Sequence, residues 1–172
     1  LQINKEFLQH DYYTDIIKSY NDFFTRKIRP EMRKIDRNRE SLISPCDSKL
    51  SVYNINHDSV FEIKGSQYSI YDMIKNPELA RRFEGGICLI FRLEVTDYHR
   101  YCYFDSGRKS NNVHIRGVLH TVNPIAFRRY NVYKQNSREY TLLHTKNFGD
   151  AVQIEVGAMM VGKIQNHHGK CH

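Results

Sequence analysis

Between residues 10 and 28 the apolar positions Tyr12, Tyr13, Ile16, Ile17, Tyr20, Phe23 and Phe24 recur at spacings of one, three and four. That recurrence puts them on one stripe of a helix, which Pro30 would stop. The stripe is aromatic and runs into Arg26-Lys27. Core packing is the default use of such a face. Contact with a membrane interface is the alternative, because aromatic and basic residues together suit the headgroup boundary.

Alternation then replaces the helical period. Ser44-Pro-Cys-Asp-Ser48 is a turn by composition, and Lys49–Asn56 alternates apolar and polar residues as a half-buried strand. Asn56-His57-Asp58 predicts a turn, with Ser59–Lys64 returning as the second arm of a hairpin. Asp47, at the mouth of that hairpin, suits either a turn cap or a site carboxylate, and spacing leaves both open. Ser69 predicts an N-cap for a short helix with Ile70, Met73 and Ile74 on its buried face. Pro77 predicts the first position of a second helix. Gly85-Gly86 releases the chain into Gly86–Val95, a run of branched and aromatic residues that reads as a buried strand.

That strand delivers Asp97, Tyr98, His99, Arg100 and Cys102 within six positions. A carboxylate there can orient an imidazole, and an imidazole can move a proton near neutral pH. The plain alternative is a strand-to-loop turn with a solvated Asp and a hydrogen-bonded His. Further on, Val113–Val122 alternates as a strand and Asn123-Pro124 ends it. Residues 125–138 are basic and Tyr-rich with no clear period. Glu139–Thr145 and Phe148–Val156 predict a hairpin across Lys146-Asn147. Gly157–Ile164 is a Gly-punctuated apolar run. The pattern predicts an α+β fold, with N-terminal helices packed on a mainly antiparallel β core.

The chain has 172 residues and a net charge of +7. It is read as one domain, with a helical, basic region at 1–40 and a β-rich core at 41–172 that is incomplete at its C-terminal end. No apolar run reaches the roughly 18 residues a membrane span needs. The first residues lack the order of a signal peptide, and the absence of Met suggests a fragment. Four irregularly spaced cysteines point to reduced thiols in an intracellular setting rather than a disulfide framework.

Charge is uneven: residues 26–39 hold seven basic residues, and no acid occurs from Ser106 to Arg138. A basic surface implies a polyanionic partner, nucleic acid or anionic lipid, against the plain reading of solubility. The tail supplies His167, His168, Cys171 and His172, but their spacing matches no closed zinc pattern, so no metal is expected.

Seven motifs in order resemble the phosphatidylserine decarboxylases: Phe23-Phe-Thr-Arg26, Arg33-Lys-Ile-Asp36, Ser44-Pro-Cys-Asp47, Asp97-Tyr-His-Arg100, His120-Thr-Val-Asn-Pro124, Phe148-Gly149, and Glu155-Val-Gly-Ala158 with Val161-Gly162. The resemblance covers nearly the whole chain and implies a proenzyme that cuts itself before a serine in a Gly-Ser-Thr segment. That serine becomes a pyruvoyl group on a small α chain, which partners the larger β chain. The pyruvoyl forms a Schiff base with the substrate amine and acts as electron sink while carbon dioxide leaves. Phosphatidylserine thereby becomes phosphatidylethanolamine.

By position, the resemblance makes Asp47 the carboxylate of a serine-protease-like triad with the cleavage serine, and leaves His99 open to the triad role, a role in the decarboxylation, or both. Asp97 is a second carboxylate beside the histidine. Two departures stand out. The chain contains no Gly-Ser-Thr segment, so it reads as most of a β chain that is inactive alone. Cys102 stands where the family commonly has a second histidine, and its ordinary pKa of about 8.5 suits proton transfer less well. In the motif around Asp47, Cys46 replaces an alanine and Ser48 a glycine.

The implied partners are the pyruvoyl-bearing α chain, an anionic phospholipid surface on the cytoplasmic side of the cell membrane, where the protein is peripheral, and a second copy in a homodimer, with no nucleic acid. The rival readings are a pyruvoyl decarboxylase of another amino-acid-bearing substrate, and a non-catalytic basic module that binds lipid or nucleic acid.

Overall fold

The computed structural model describes residues 10–58, 60–63, 66–121, 132–159, 161 and 163–166. Its sheets are antiparallel and its helices short, giving the α+β class the sequence predicts.

The front of the chain departs from the predicted helix over 10–28. Among the described residues it breaks into helical His10 and Asp11, a 3₁₀ turn at Thr14–Ile16 and a short α-helix, α1, at Tyr20–Phe24. Ser19 caps α1, its hydroxyl accepting from the Asp22 amide, so a new helix starts inside the expected stripe. The stripe divides accordingly: Tyr12 and Phe23 are buried, whereas Tyr13 and Tyr20 are exposed. Pro30 opens a 3₁₀ turn, Pro30–Met32, rather than ending a helix.

Strand β1, Lys49–Asn54, forms as expected, but its partner is β4, Ile87–Arg92, in a six-pair antiparallel ladder. The turn after β1 is real: Asn56 Oδ1 accepts from the amides of Asp58 and Val60. The arm that follows, β2 (Val60–Ile63), instead pairs with β3 (Ser66–Ser69), a strand the sequence pattern did not reveal. The predicted hairpin is therefore replaced by a long-range ribbon and a separate local one.

The ribbon of β1 and β4 has two unlike faces. Tyr53, Cys88 and Ile90 pack against the core. Leu50, Val52, Ile87 and Leu89 are exposed on the other face, with Val52 opposite Leu89 and Ile87 65% exposed. The run expected as a buried strand is thus half-exposed.

Helix α2, Ile70–Ile74, has the cap and the buried face that the sequence specifies: the Ser69 hydroxyl accepts from the Asp72 amide, and Ile70, Met73 and Ile74 are buried. Helix α3, Pro77–Arg81, has Pro at its start and Asn76 as its cap. These side chains, with Ile55, Phe61, Tyr68, Ala80 and Tyr140, make the core cluster.

The remaining sheet joins β5 (Gly107–Lys109), β6 (Val113–Ile115), β7 (Arg138–Thr145) and β8 (Asp150–Val156). Strand β7 is central; it pairs with β5 and β6 and, over seven residues, with β8. The β7–β8 hairpin is the predicted one, with Gly149 at φ 74° closing the turn. The strand expected over 113–122 is shorter: after Ile115 the chain keeps only a bridge from Val118 to Asn136, and Val122 lies outside the described residues. Within the basic stretch 125–138, Val132–Gln135 forms helix α4.

Arg138, 1% exposed, locks this sheet to α2. Its guanidinium donates to the carbonyls of Met73, Asp72, Lys134 and Asn136. Fully buried Asn136 similarly donates to the carbonyls of His120 and Gly157 and accepts from the His120 amide. No helix among the described residues is long and apolar enough to cross a membrane.

Candidate active site

After β4 the chain closes a tight turn. The Asp97 amide donates to the Glu94 carbonyl, and Asp97 Oδ2 accepts from the Glu94 amide at 2.6 Å. The Asp97 carboxylate is therefore engaged with backbone, and its carbonyl, not its carboxylate, faces the histidine: His99 Nδ1 lies 3.0 Å from Asp97 O. A carbonyl only accepts, so Nδ1 carries the proton and Nε2 of the neutral ring keeps its lone pair.

The imidazole lies against Phe24 of α1, with ring centroids 3.8 Å apart. Burial lowers the His99 pKa below its ordinary value, the Asp97 carbonyl opposes that shift, and the charge of Arg26 adds to it. The ring is thus neutral at pH 7, with its basic nitrogen at Nε2.

Arg26 fastens the front of the chain to this turn. It is buried between the rings of Tyr12 and Phe23, with Cζ 4.5 and 4.4 Å from their centroids. Its Nη2 donates to the carbonyls of Thr96 and Asp97, at 2.8 and 3.0 Å, and Nη1 donates to Phe23 O. Arg100 reaches back the other way, donating to the carbonyls of Thr25 and Arg26. The Tyr98 ring lies tilted against Tyr12, with centroids 5.9 Å apart, and its hydroxyl accepts from the Ile28 amide. The residues on either side of His99 thus anchor the segment from both directions.

Asp47 sits in the bend before β1. Arg33 holds its carboxylate, with Nε 3.1 Å from both oxygens and Nη2 2.8 Å from Oδ2. Arg33 Nη1 also lies 3.8 Å from Asp11. The Asp47 turn meets the histidine segment through backbone: the Cys102 amide donates to Pro45 O at 2.8 Å. Among the described residues, Asp47 and His99 share no hydrogen bond. Cys102 is a half-buried thiol whose pKa burial raises, with its own backbone acting weakly the other way.

The structure thus brings Asp47, Asp97, His99 and Cys102 into one region built from three stretches of chain. Arg26, Arg33 and Phe24 were missed as site residues. The first two were counted only as basic surface, although both belong to motifs already singled out. Among the described residues no group of three or more His, Cys, Asp and Glu side chains could hold a metal, and the tail from His167 to His172 lies outside those residues.

The match with known proteins runs through the site segments from α1 onward. The family model for phosphatidylserine decarboxylase matches residues 20–171. The chain is 51% identical over 149 residues to a phosphatidylserine decarboxylase proenzyme 2 of Clostridium acetobutylicum, covering 87% of this chain and 51% of that protein. It is 46% identical over 149 residues to the proenzyme of Clostridium botulinum, covering 86% and 50%. It is 46% identical over 153 residues to that of Clostridium kluyveri, covering 88% and 52%. The chain therefore spans about half the length of the curated relatives it matches. With the match running from α1 through the Asp47 turn and the His99 segment to the last sheet strand, the chain belongs to the phosphatidylserine decarboxylase family.

Proposed function

We propose that this chain is the β-chain portion of a proenzyme that converts phosphatidylserine to phosphatidylethanolamine and carbon dioxide. The observation that carries the reading is the family match over residues 20–171 together with the convergence of the Asp47 turn and the His99 segment. Self-cleavage needs a base for a serine hydroxyl. A neutral imidazole with its lone pair at Nε2 and its Nδ1 proton fixed by a carbonyl fits that need. In this reading Asp47, oriented by Arg33, is the carboxylate of the cleavage machinery.

These groups suit the serine from which a pyruvoyl group would be made, and that serine comes from the partner chain of the same precursor. The group, when present, supplies the electrophilic carbonyl that engages the substrate amine and accepts the electrons left as carbon dioxide departs. The protein's own part is to hold the carboxylate and imidazole in place through Arg33, Arg26 and Arg100. The exposed apolar face of β1 and β4 offers the partner chain a docking surface of Leu50, Val52, Ile87 and Leu89.

Peripheral attachment to anionic lipid on the cytoplasmic side of the cell membrane is part of the proposal. Exposed Tyr13, Tyr20, Ile35 and Leu42 interleave with exposed Lys27, Lys34, Arg37 and Arg39, which suits a headgroup boundary.

The test is release of labelled carbon dioxide from carboxyl-labelled phosphatidylserine in mixed vesicles by the product of the complete parent gene. Release that is abolished by hydrazine supports the reading. No release from phosphatidylserine, but release from another amino-acid-bearing substrate, would move the assignment to a different decarboxylase. Binding to vesicles or nucleic acid with no turnover of any substrate would favour a binding module.

A further inference from the structure

The chemistry above leaves two thiols at the site without a task. Cys46 precedes Asp47, and Cys102 follows His99 by three positions. Both are free and half-buried. The Cys102 amide donates to Pro45 O, the carbonyl bonded to Cys46 N, at 2.8 Å. Covalent geometry on each side of that bond keeps the two Cα atoms within about 7 Å, the separation beyond which two cysteines cannot be bridged.

Cys88 offers no rival geometry of this kind. It lies on β4 opposite Tyr53, packs against the core, and has its thiol pushed up to about 11 by burial.

We infer that Cys46 and Cys102 are a redox modification site, forming a reversible disulfide that ties the Asp47 turn covalently to the His99 segment. The oxidant is a low-molecular-weight disulfide, RSSR. One cysteine thiolate attacks an RSSR sulfur, forming a mixed disulfide and expelling one thiolate, RS⁻. The second cysteine thiolate attacks the protein sulfur of that mixed disulfide and expels a second RS⁻. The two cysteine protons end on the two RS⁻ groups. The protein dithiol is thereby oxidised by two electrons, and RSSR is reduced to two RSH.

Burial raises both thiols, so the thiolates are scarce at neutral pH and the exchange accelerates as pH rises. The disulfide stands on the backbone geometry of the Cys102–Pro45 hydrogen bond. Its consequence for self-cleavage rests on the proposed function, because it ties the chain beside Asp47 to the chain that carries His99.

The experiment equilibrates the full-length product of the parent gene with glutathione buffers from reduced to oxidised. The sample is then acid-quenched, alkylated and mapped after trypsin. The expected result is loss of two hydrogens and a cross-link joining peptide 40–49 to peptide 101–108. The cross-link survives Cys88→Ala, disappears in Cys102→Ser, and gives way to mixed pairings in guanidinium chloride. Full alkylation of both peptides at every buffer ratio would overturn the inference. So would preferential pairing of either cysteine with Cys88 or Cys171 under native conditions. Because the map reads sulfur connectivity, it answers independently of whether the product decarboxylates anything.

Discussion

Arg33 grips Asp47, 14 positions further along the chain, through two nitrogens, Nε and Nη2, at 2.8 to 3.1 Å. The pair is partly exposed, at 42% and 34% of the two side chains, so its contribution to stability is small, about 1 kcal/mol or less. Its value lies in orientation. Arg33→Lys keeps the charge but loses the planar fork. The expected outcome is an unfolding midpoint in urea close to the wild type, with self-cleavage of the precursor slowed by roughly ten- to a hundredfold. Unchanged cleavage kinetics would mean Asp47 needs no such holder.

His99 should titrate below its ordinary value of 6.5. Its charged form is disfavoured in the folded state, so the stability it contributes is present above 6.5 and is lost as pH falls toward the folded value. The slope is at most about 1.4 kcal/mol per pH unit for one proton. A proton NMR titration of the ring gives the midpoint directly. Arg26→Met removes a charge that opposes protonation, so the midpoint should rise toward 6.5. A wild-type midpoint above 6.5 would contradict the buried, neutral imidazole.

Glu155 works in the opposite sense. It faces Glu139 across β7 and β8, and burial raises its pKa above the ordinary 4.5, with Gln153 and Asn166 pulling it back. A raised carboxyl contributes stability that is complete below 4.5 and fades as pH rises through the folded value. Glu155→Gln should remove that fading, so the variant gains on the wild type as pH rises above 4.5 in denaturant titrations. Parallel pH profiles for the two proteins would show that Glu155 ionises in the fold without cost.

Arg138 tests the frame rather than the site. Arg138→Met strips donors from four backbone carbonyls, two of them in α2. A loss of roughly 3 kcal/mol or more is expected from carbonyls left without partners, read as a lower urea midpoint. A change under about 0.5 kcal/mol, the usual span for surface substitutions, would mean water replaces the guanidinium freely.

What the sequence made legible was local. Ser69, Pro77 and the β7–β8 hairpin follow from capping and turn chemistry within a few residues, and each appears where its signal lies. The pairing of β1 with β4 was hidden, because alternation says which face a strand presents but not which distant strand it meets. The front helix failed for a related reason. Its aromatic stripe matched the helical period, yet Tyr12 is drawn onto Arg26 and Ser19 starts a new helix. The ion pair of Arg33 with Asp47 left no periodic trace, since long charged side chains choose partners by tertiary position. Asp97 was expected to orient the imidazole by its carboxylate, and it is the carbonyl of the same residue that lies against the ring.

Asp47 and His99 are proposed to serve the self-cleavage of a longer precursor. Intact mass measurement of the full-length parent product, wild type beside Asp47→Ala and His99→Ala, tests it most directly. The wild type should split into a large chain and a small chain with a hydrazine-reactive N-terminus, while both variants stay uncut though folded. Splitting of the two variants at the wild-type rate, or a wild type that never splits, would contradict it.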